Sequence, residues 1–475
     1  MSRNIPQTTL LGHPAGLFLL FTTEMWERFC YYGMRALVVL SLVAAVDGAN
    51  PGFGMDRGQA LILYGWYTSS AYATNILGGW IADNILGMRR SVLFGGLIMS
   101  AAQFTLFFAV PGDITLYYIG LVLMAAGVGL FKPNISTMVG ELYPQGDARR
   151  DAAFSIFYMG INLGAFIAPF ITSTLGEDPN YGWRWGYFSA GVGMLISVAI
   201  QLLFAKRFLG DIGVVPTAKR SREATGGVKQ PLSHEERDRL RVVMSMFVFI
   251  MMFWTAFEQA GGLLNLVAQD NTQRMVGAFE VPAGWFQSLN PLFIVIFAPV
   301  FAWLWVKLAR ENKNPSSPLK VSAGILLTAI GFGFLILGVF EMQGTSDHKM
   351  SMIWLTLGYL FHTLGELCIS PVGLSLMTKL APLRLMSVIM GVWFLMPACA
   401  YFLAGYIGAF TEHAGEYGFV QQFAISMGVM PEHSGLLFVF AAIAAVLVLF
   451  SVLMWLVSGK LVDWMHGAES TTAKA

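Results

Sequence analysis

Apolar residues in this chain come in long blocks, with neither the period of a half-buried helix nor the alternation of a strand. Windows of about 19 residues find blocks near 14–45, 57–82, 90–111, 114–139, 150–175 and 182–206, and again near 242–268, 284–309, 319–341, 351–380, 385–411 and 434–458. Each can cross a bilayer, which takes roughly 20 helical residues for about 30 Å of hydrocarbon. They are too long and too evenly apolar for the roughly ten-residue alternating strands of an outer-membrane barrel. Between the sixth and seventh blocks Lys219, Arg220, Arg222, Lys229, Arg237, Arg239 and Arg241 stand among Gly, Ser and Pro, a composition that forms no core and belongs in water. The pattern predicts an all-α polytopic membrane protein of twelve transmembrane helices: an N-terminal six-helix bundle over 1–208, a cytoplasmic linker over 209–241 and a C-terminal six-helix bundle over 242–475. Ser233 followed by Glu236 fits a capping box that would start the seventh helix.

Composition supports lipid as the main solvent: 56% of the 475 residues are hydrophobic and 12% charged, against about 25% charged in soluble domains. Cys30, Cys368 and Cys399 lie inside apolar blocks and offer no disulfide framework. Met1–Pro14 carries one basic residue, Arg3, and no small-residue cleavage site follows the first block, so that block is expected to stay as a helix. A net charge of +1 gives no reason to expect nucleic acid as a partner. Basic residues fall in alternate connections: Arg89 and Arg90, Arg149 and Arg150, the linker, Lys307, Arg310 and Lys313, then Lys379 and Arg384. Asp113, Glu177, Asp178, Asp270, Glu280, Glu341, Glu412 and Glu416 populate the others, with Arg274 and Lys349 as exceptions. The positive-inside rule then puts both termini in the cytoplasm, with the chain in a bacterial-type inner membrane.

A charge near the bilayer centre costs about 2.5 to 3.5 kcal/mol on the insertion scale, so each must face a cavity or a partner. The first block holds Glu24, Glu27, Arg28 and Arg35 with Tyr31 and Tyr32, at offsets that repeat on one helical face. Lys132 lies in the fourth, Glu258 in the seventh and Glu366 in the tenth, so the charged blocks open each successive triplet. That regularity matches transporters built from three-helix repeats, with the substrate path between two halves. Four acids face three bases, which leaves one carboxylate over. A surplus carboxylate in a low-dielectric site holds its proton near neutral pH, and a proton-coupled cycle is expected. Arg35 and Lys132 suit a ligand carboxylate, and Glu258 or Glu366 an ammonium group, so the expected substrate is a short zwitterion. Asn162 and Asn290 offer a donor and an acceptor to an amide, or bond neighbouring helices.

The first block reads Glu24-Met-Trp-Glu27-Arg28-Phe29-Cys-Tyr31-Tyr32-Gly33, and later ones contain Phe131-Lys132-Pro133-Asn134, Phe157-Tyr158-Met-Gly160-Ile-Asn162-Leu-Gly164, Trp254-Thr-Ala-Phe257-Glu258-Gln259, Gln287-Ser-Leu-Asn290-Pro291 and Gly365-Glu366-Leu-Cys-Ile-Ser370-Pro371. These resemble the motifs of the proton-dependent oligopeptide transporters, the POT or PTR family of the major facilitator superfamily, over nearly the whole chain. Gly79 to Arg90 is similar to that superfamily's loop between helices two and three. The resemblance implies the major facilitator fold and proton-coupled symport of di- and tripeptides by alternating access. It implies that Glu24, Glu27 and Arg28 link proton movement to the cycle, that Arg35 and Lys132 meet the peptide C-terminus and Glu366 its N-terminus, and that Glu258 pairs with Lys132 or Arg35 in one state only. Tyr31, Tyr32 and Tyr67 would bound the peptide backbone, and Trp254 and Trp393 would shape side-chain pockets.

The linker is too short for the extra hairpin that many bacterial members insert. No histidine occurs in the second block, where animal members have one, and His362, one turn before Glu366, reads as a packed or pore-facing spectator. Pro397 stands where a small polar residue is expected in the family. Pro133, Pro371 and Pro397 are expected to break their helices and serve as gating points. A drug/proton antiporter or a nitrate-type carrier is the alternative on the same fold. An enzyme would need a nucleophile with a base or a metal set, and none is evident, so no cofactor is expected. His234-Glu235-Glu236-Arg237-Asp238 lacks the second histidine of an H-E-x-x-H zinc motif.

Overall fold

Hydrocarbon has no water to satisfy backbone polar groups, so a spanning segment must satisfy them within itself, and each apolar block is built mainly of helix. The computed structural model describes residues 8–144, 147, 149–216, 233–380 and 386–468. Twelve long helices run through them: α1 Ala15–Val43, α2 Arg57–Ile81, α3 Met88–Phe107, α4 Thr115–Glu141, α5 Arg149–Glu177, α6 Trp183–Leu209, α7 His234–Phe257, α8 Leu289–Arg310, α9 Ser317–Met342, α10 Met352–Leu380, α11 Met386–Ala414 and α12 Ser434–Trp464. Short helices, Leu263–Asp270 and Gly418–Ser426, and ladders of two-residue strands fill connections. Nine of the described helices are long and apolar enough to cross a membrane by length and composition alone. α1 is not among them, since it carries Glu24, Glu27, Arg28 and Arg35.

The capping box is present. The Ser233 hydroxyl accepts from the Glu236 amide at 3.1 Å, and the Glu236 carboxylate accepts from the Ser233 amide at 2.9 Å. α7 therefore starts at His234, ahead of the apolar block, and runs to Phe257, where a 3-10 turn Glu258–Ala260 takes over. The prolines do not break their helices: α4 passes through Pro133, α10 through Pro371 and α11 through Pro397. The break expected there falls in α7 at Glu258. Arg3, Lys219, Arg220, Arg222, Lys229 and Arg384 lie outside the described residues, as does the side chain of Lys379.

The chain forms two compact units. The first is Met1–Asp56 with Tyr67–Val228, and the second Arg57–Trp66 with Lys229–Ala475, so the start of α2 belongs to the second. In the first, α1 packs on α5 and α6, and α3 on α4 and α6. Small residues make these approaches possible: a Cβ added to Gly164 of α5 would sit 2.1 Å from the Met25 carbonyl oxygen, and one on Gly78 of α2 would sit 1.9 Å from that of Gly129. In the second, α9 packs on α10 and α12, α7 on α11, and α8 on α10. Ser322 and Ser451 each donate to the other's carbonyl, at 2.8 and 2.9 Å, and bind α9 to α12. Large apolar side chains such as Val122 (69% exposed) and Leu203 (71%) stand on the outer surface, a distribution suited to lipid rather than water.

Candidate functional site

In the first unit the predicted charges of α1 are gathered and dry: Glu24, Glu27, Arg28 and Arg35 are all buried. Arg28 serves two acids. Its Nη2 donates to Glu27 Oε1 at 2.8 Å, its Nε also donates to Glu27 Oε2, and that Nε lies 3.1 Å from Glu24 Oε1. The second Glu24 oxygen is buried with no hydrogen-bond partner among the described residues. Two carboxylates on one guanidinium titrate as a pair, and the surplus negative charge is uncompensated within the triad. Lys132 of α4, half-buried, sits with its Nζ 3.9 Å from the centre of the Tyr72 ring and close enough to both acids to act on them electrostatically.

Tyr31 and Tyr32 lie on the face of α1 that carries these charges. The Tyr31 and Tyr32 rings meet edge-on at 5.4 Å, with Arg28 5.4 Å from the centre of Tyr31 and Arg35 5.6 Å from that of Tyr32. Such stacking holds a guanidinium without neutralising it. Tyr67, buried in α2, directs its hydroxyl to Met34 Sδ at 3.7 Å. The Asn162 amide donates to the Tyr158 carbonyl at 2.9 Å, within its own helix.

The second unit gathers the remaining residues around the break in α7. Glu258, 1% exposed, accepts a hydrogen bond from the Tyr64 hydroxyl at 2.7 Å. The Gln259 amide donates to the Ala404 carbonyl of α11 at 3.0 Å, and Gln287 and Tyr359 both donate to the Ala260 carbonyl, at 2.5 and 3.1 Å. These bonds take up backbone groups where the α-helical ladder stops. Asn290 of α8 donates to Glu366 Oε2 at 2.8 Å and to Thr363 Oγ1 at 3.1 Å, so two predicted residues on different helices meet directly. Trp254 stacks edge-on with Phe253 and Phe257, both at 5.2 Å. Trp393 lies against Gly373, where an added Cβ would come within 2.8 Å of its ring. His362 is buried, tilted against Phe332 at 4.7 Å, and neither ring nitrogen has a hydrogen-bond partner among the described residues. It is a packed residue on the α9 side.

Sequence reading missed Tyr64, Tyr72, Tyr359 and Thr363, and gave Gln287 only as part of a motif. Each is an ordinary polar or aromatic residue in an apolar block, and its partner lies on another element. Only the spacing of Tyr64, three residues before Tyr67, hinted at a shared face.

Long helices with an apolar exterior and buried acids and bases define a polytopic membrane transporter. The family model PTR2, described as the POT family, matches residues 88–214 and 204–423. The chain belongs to that family. It is 37% identical over 460 residues to the "Peptide transporter YePEPT" of Yersinia enterocolitica subsp. palearctica, covering 85% of this chain and 89% of that one. It is 32% identical over 471 residues to a "Di-/tripeptide transporter" of Lactococcus lactis subsp. cremoris, covering 88% and 93%. Among solved structures it resembles a peptide transporter POT in complex with sulfate, with a TM-score of 0.84, 34% identity and coverage of 97% and 98%. The fold is that of the major facilitator superfamily.

Proposed function

We propose that this chain is a proton-coupled symporter that imports di- and tripeptides by alternating access. The observation that carries this reading is the triad in α1, where one guanidinium serves two buried carboxylates and leaves a negative charge that a proton can neutralise. The relatives that are peptide and di-/tripeptide transporters supply the substrate class. In this reading Arg35 and Lys132 receive the peptide carboxylate, and Glu366, steadied by Asn290, receives the ammonium group. Glu258 exchanges its Tyr64 bond for a cationic partner during the cycle. Tyr31, Tyr32, Tyr67 and Asn162 contact the backbone, and Trp254 and Trp393 bound the side chains. Both termini are cytoplasmic and the membrane is the bacterial inner one, as the loop charges indicate.

The test is uptake of a labelled dipeptide into liposomes, with and without an inward proton gradient and with free amino acids as competitors. Accumulation driven by the gradient and unaffected by free amino acids is expected. Glu27→Gln should keep peptide exchange across the membrane and abolish gradient-driven accumulation. Absence of driven peptide uptake by the parent protein would point instead to the antiporter reading.

A further inference from the structure

The sequence His234-Glu235-Glu236-Arg237-Asp238 fails as a zinc motif for want of a second histidine. The fold supplies one from the far end of the chain. His466, just beyond α12, brings Nε2 to 3.0 Å from Asp238 Oδ2, while His234, one turn before Asp238 on α7, brings Nδ1 to 3.2 Å from the same oxygen. All three donor atoms lie within 4.8 Å of one another.

We propose that His234, Asp238 and His466 form a binding site for a single divalent transition-metal ion, zinc by the character of its donors. The set is two imidazoles and one carboxylate, the three-ligand composition that zinc takes with water in the fourth position. Bonds of about 2.0 to 2.1 Å in a tetrahedral site put neighbouring donors roughly 3.3 Å apart, close to the two distances observed. The third edge shortens by rotation of the His234 ring, which is largely exposed at 79% and leaves the ion a path from solvent. Asp238 itself is buried. Its other oxygen accepts from Arg241 at 2.8 Å, an outer contact that orients the carboxylate and leaves Oδ2 for the ion.

The placement of His466 supports a built site. Its backbone is in the left-handed region at φ 48°, which a non-glycine residue occupies at a cost, and that turn aims the ring at α7. The preceding residue is tied to the same helix, its Met465 carbonyl accepting from Arg239 Nε at 3.4 Å. A bound ion would clasp the beginning of α7 to the end of α12 within the second unit. The same helix carries Trp254 and, at its other end, leads into the turn that holds Glu258.

The experiment uses the full chain, purified in detergent, freed of any histidine tag and stripped of metal. Zinc is titrated against a chromophoric chelator, and cobalt is added separately to read coordination from its visible absorption. The expected result is one zinc per chain, a tetrahedral cobalt spectrum and a higher melting temperature with zinc. His234→Ala and His466→Ala should each weaken binding about tenfold or more and abolish the zinc-dependent rise in melting temperature, each variant being compared with its own metal-free melting temperature, since His466→Ala also removes a hydrogen bond to the buried Asp238. His413→Ala, an exposed histidine elsewhere, should bind as the parent does. Failure of the parent to bind zinc stoichiometrically, or binding unchanged in both variants, would overturn the proposal.

Discussion

Tyr64 gives its hydroxyl proton to Glu258 at 2.7 Å, in a place almost closed to solvent. Removing one partner of a buried hydrogen bond costs about 1 to 3 kcal/mol, because the remaining group loses a donor it cannot replace with water. Tyr64→Phe is therefore expected to lower the melting temperature of the detergent-solubilised protein, and an unchanged midpoint would count against that bond. The acids and bases were legible as single residues, since any charge in an apolar block demands an explanation. Their partners were not. Glu258 and Tyr64 are separated by 194 positions, and a tyrosine in an apolar stretch has no mark distinguishing a donor to a carboxylate from a packed ring. Glu24 with Glu27 and Arg28 is the exception, because spacings of three and four on a helix bring side chains together without help from the fold.

At the scale of the element, the glycines of the α5 motif have a steric reason. A Cβ on Gly164 would meet the Met25 carbonyl oxygen at 2.1 Å and the Arg28 Cβ at 3.1 Å. The first of these is backbone, which cannot swing aside. Gly164→Ala should push α5 away from the part of α1 that carries the triad, and is expected to abolish uptake or the appearance of protein in the membrane. Gly333→Ala, within α9 and with nothing within 4 Å of its added Cβ, is the matched control and should transport normally. Helix ends were harder to read from sequence. Proline was expected to interrupt α4, α10 and α11, yet all three helices continue, because neighbouring helices and local adjustment can satisfy the carbonyl that proline frees. α7 stops instead at a glutamate, where Gln287 and Tyr359 compete for the Ala260 carbonyl. The one local signal is the Gly261-Gly262 pair just beyond.

For the whole molecule, orientation follows from which connections hold arginine and lysine. The proposed cytoplasmic placement of the termini predicts that a fluorescent protein fused after Ala475 will glow and that alkaline phosphatase fused there will be inactive. The reverse pattern would invert the topology. The count of helices was legible from hydropathy because a polar backbone can enter hydrocarbon only as a self-satisfied segment. The compact units were less so: Arg57–Trp66 joins the second unit and Tyr67 onward the first, a division inside one continuous helix that hydropathy cannot see.

The sequence by itself determined the number and order of the long helices, the identity of the buried charges and the family motifs. The helices and the charges follow from the local cost of placing a backbone or a charge in lipid, and the motifs from resemblance to a known family. Only the tertiary structure decided the pairings between helices: Tyr64 on Glu258, Asn290 on Glu366 across 76 positions and His466 on Asp238 across 228. Hydrogen bonds act over about 3 Å, and no periodicity along a chain records which distant side chains the packing of helices will bring that close.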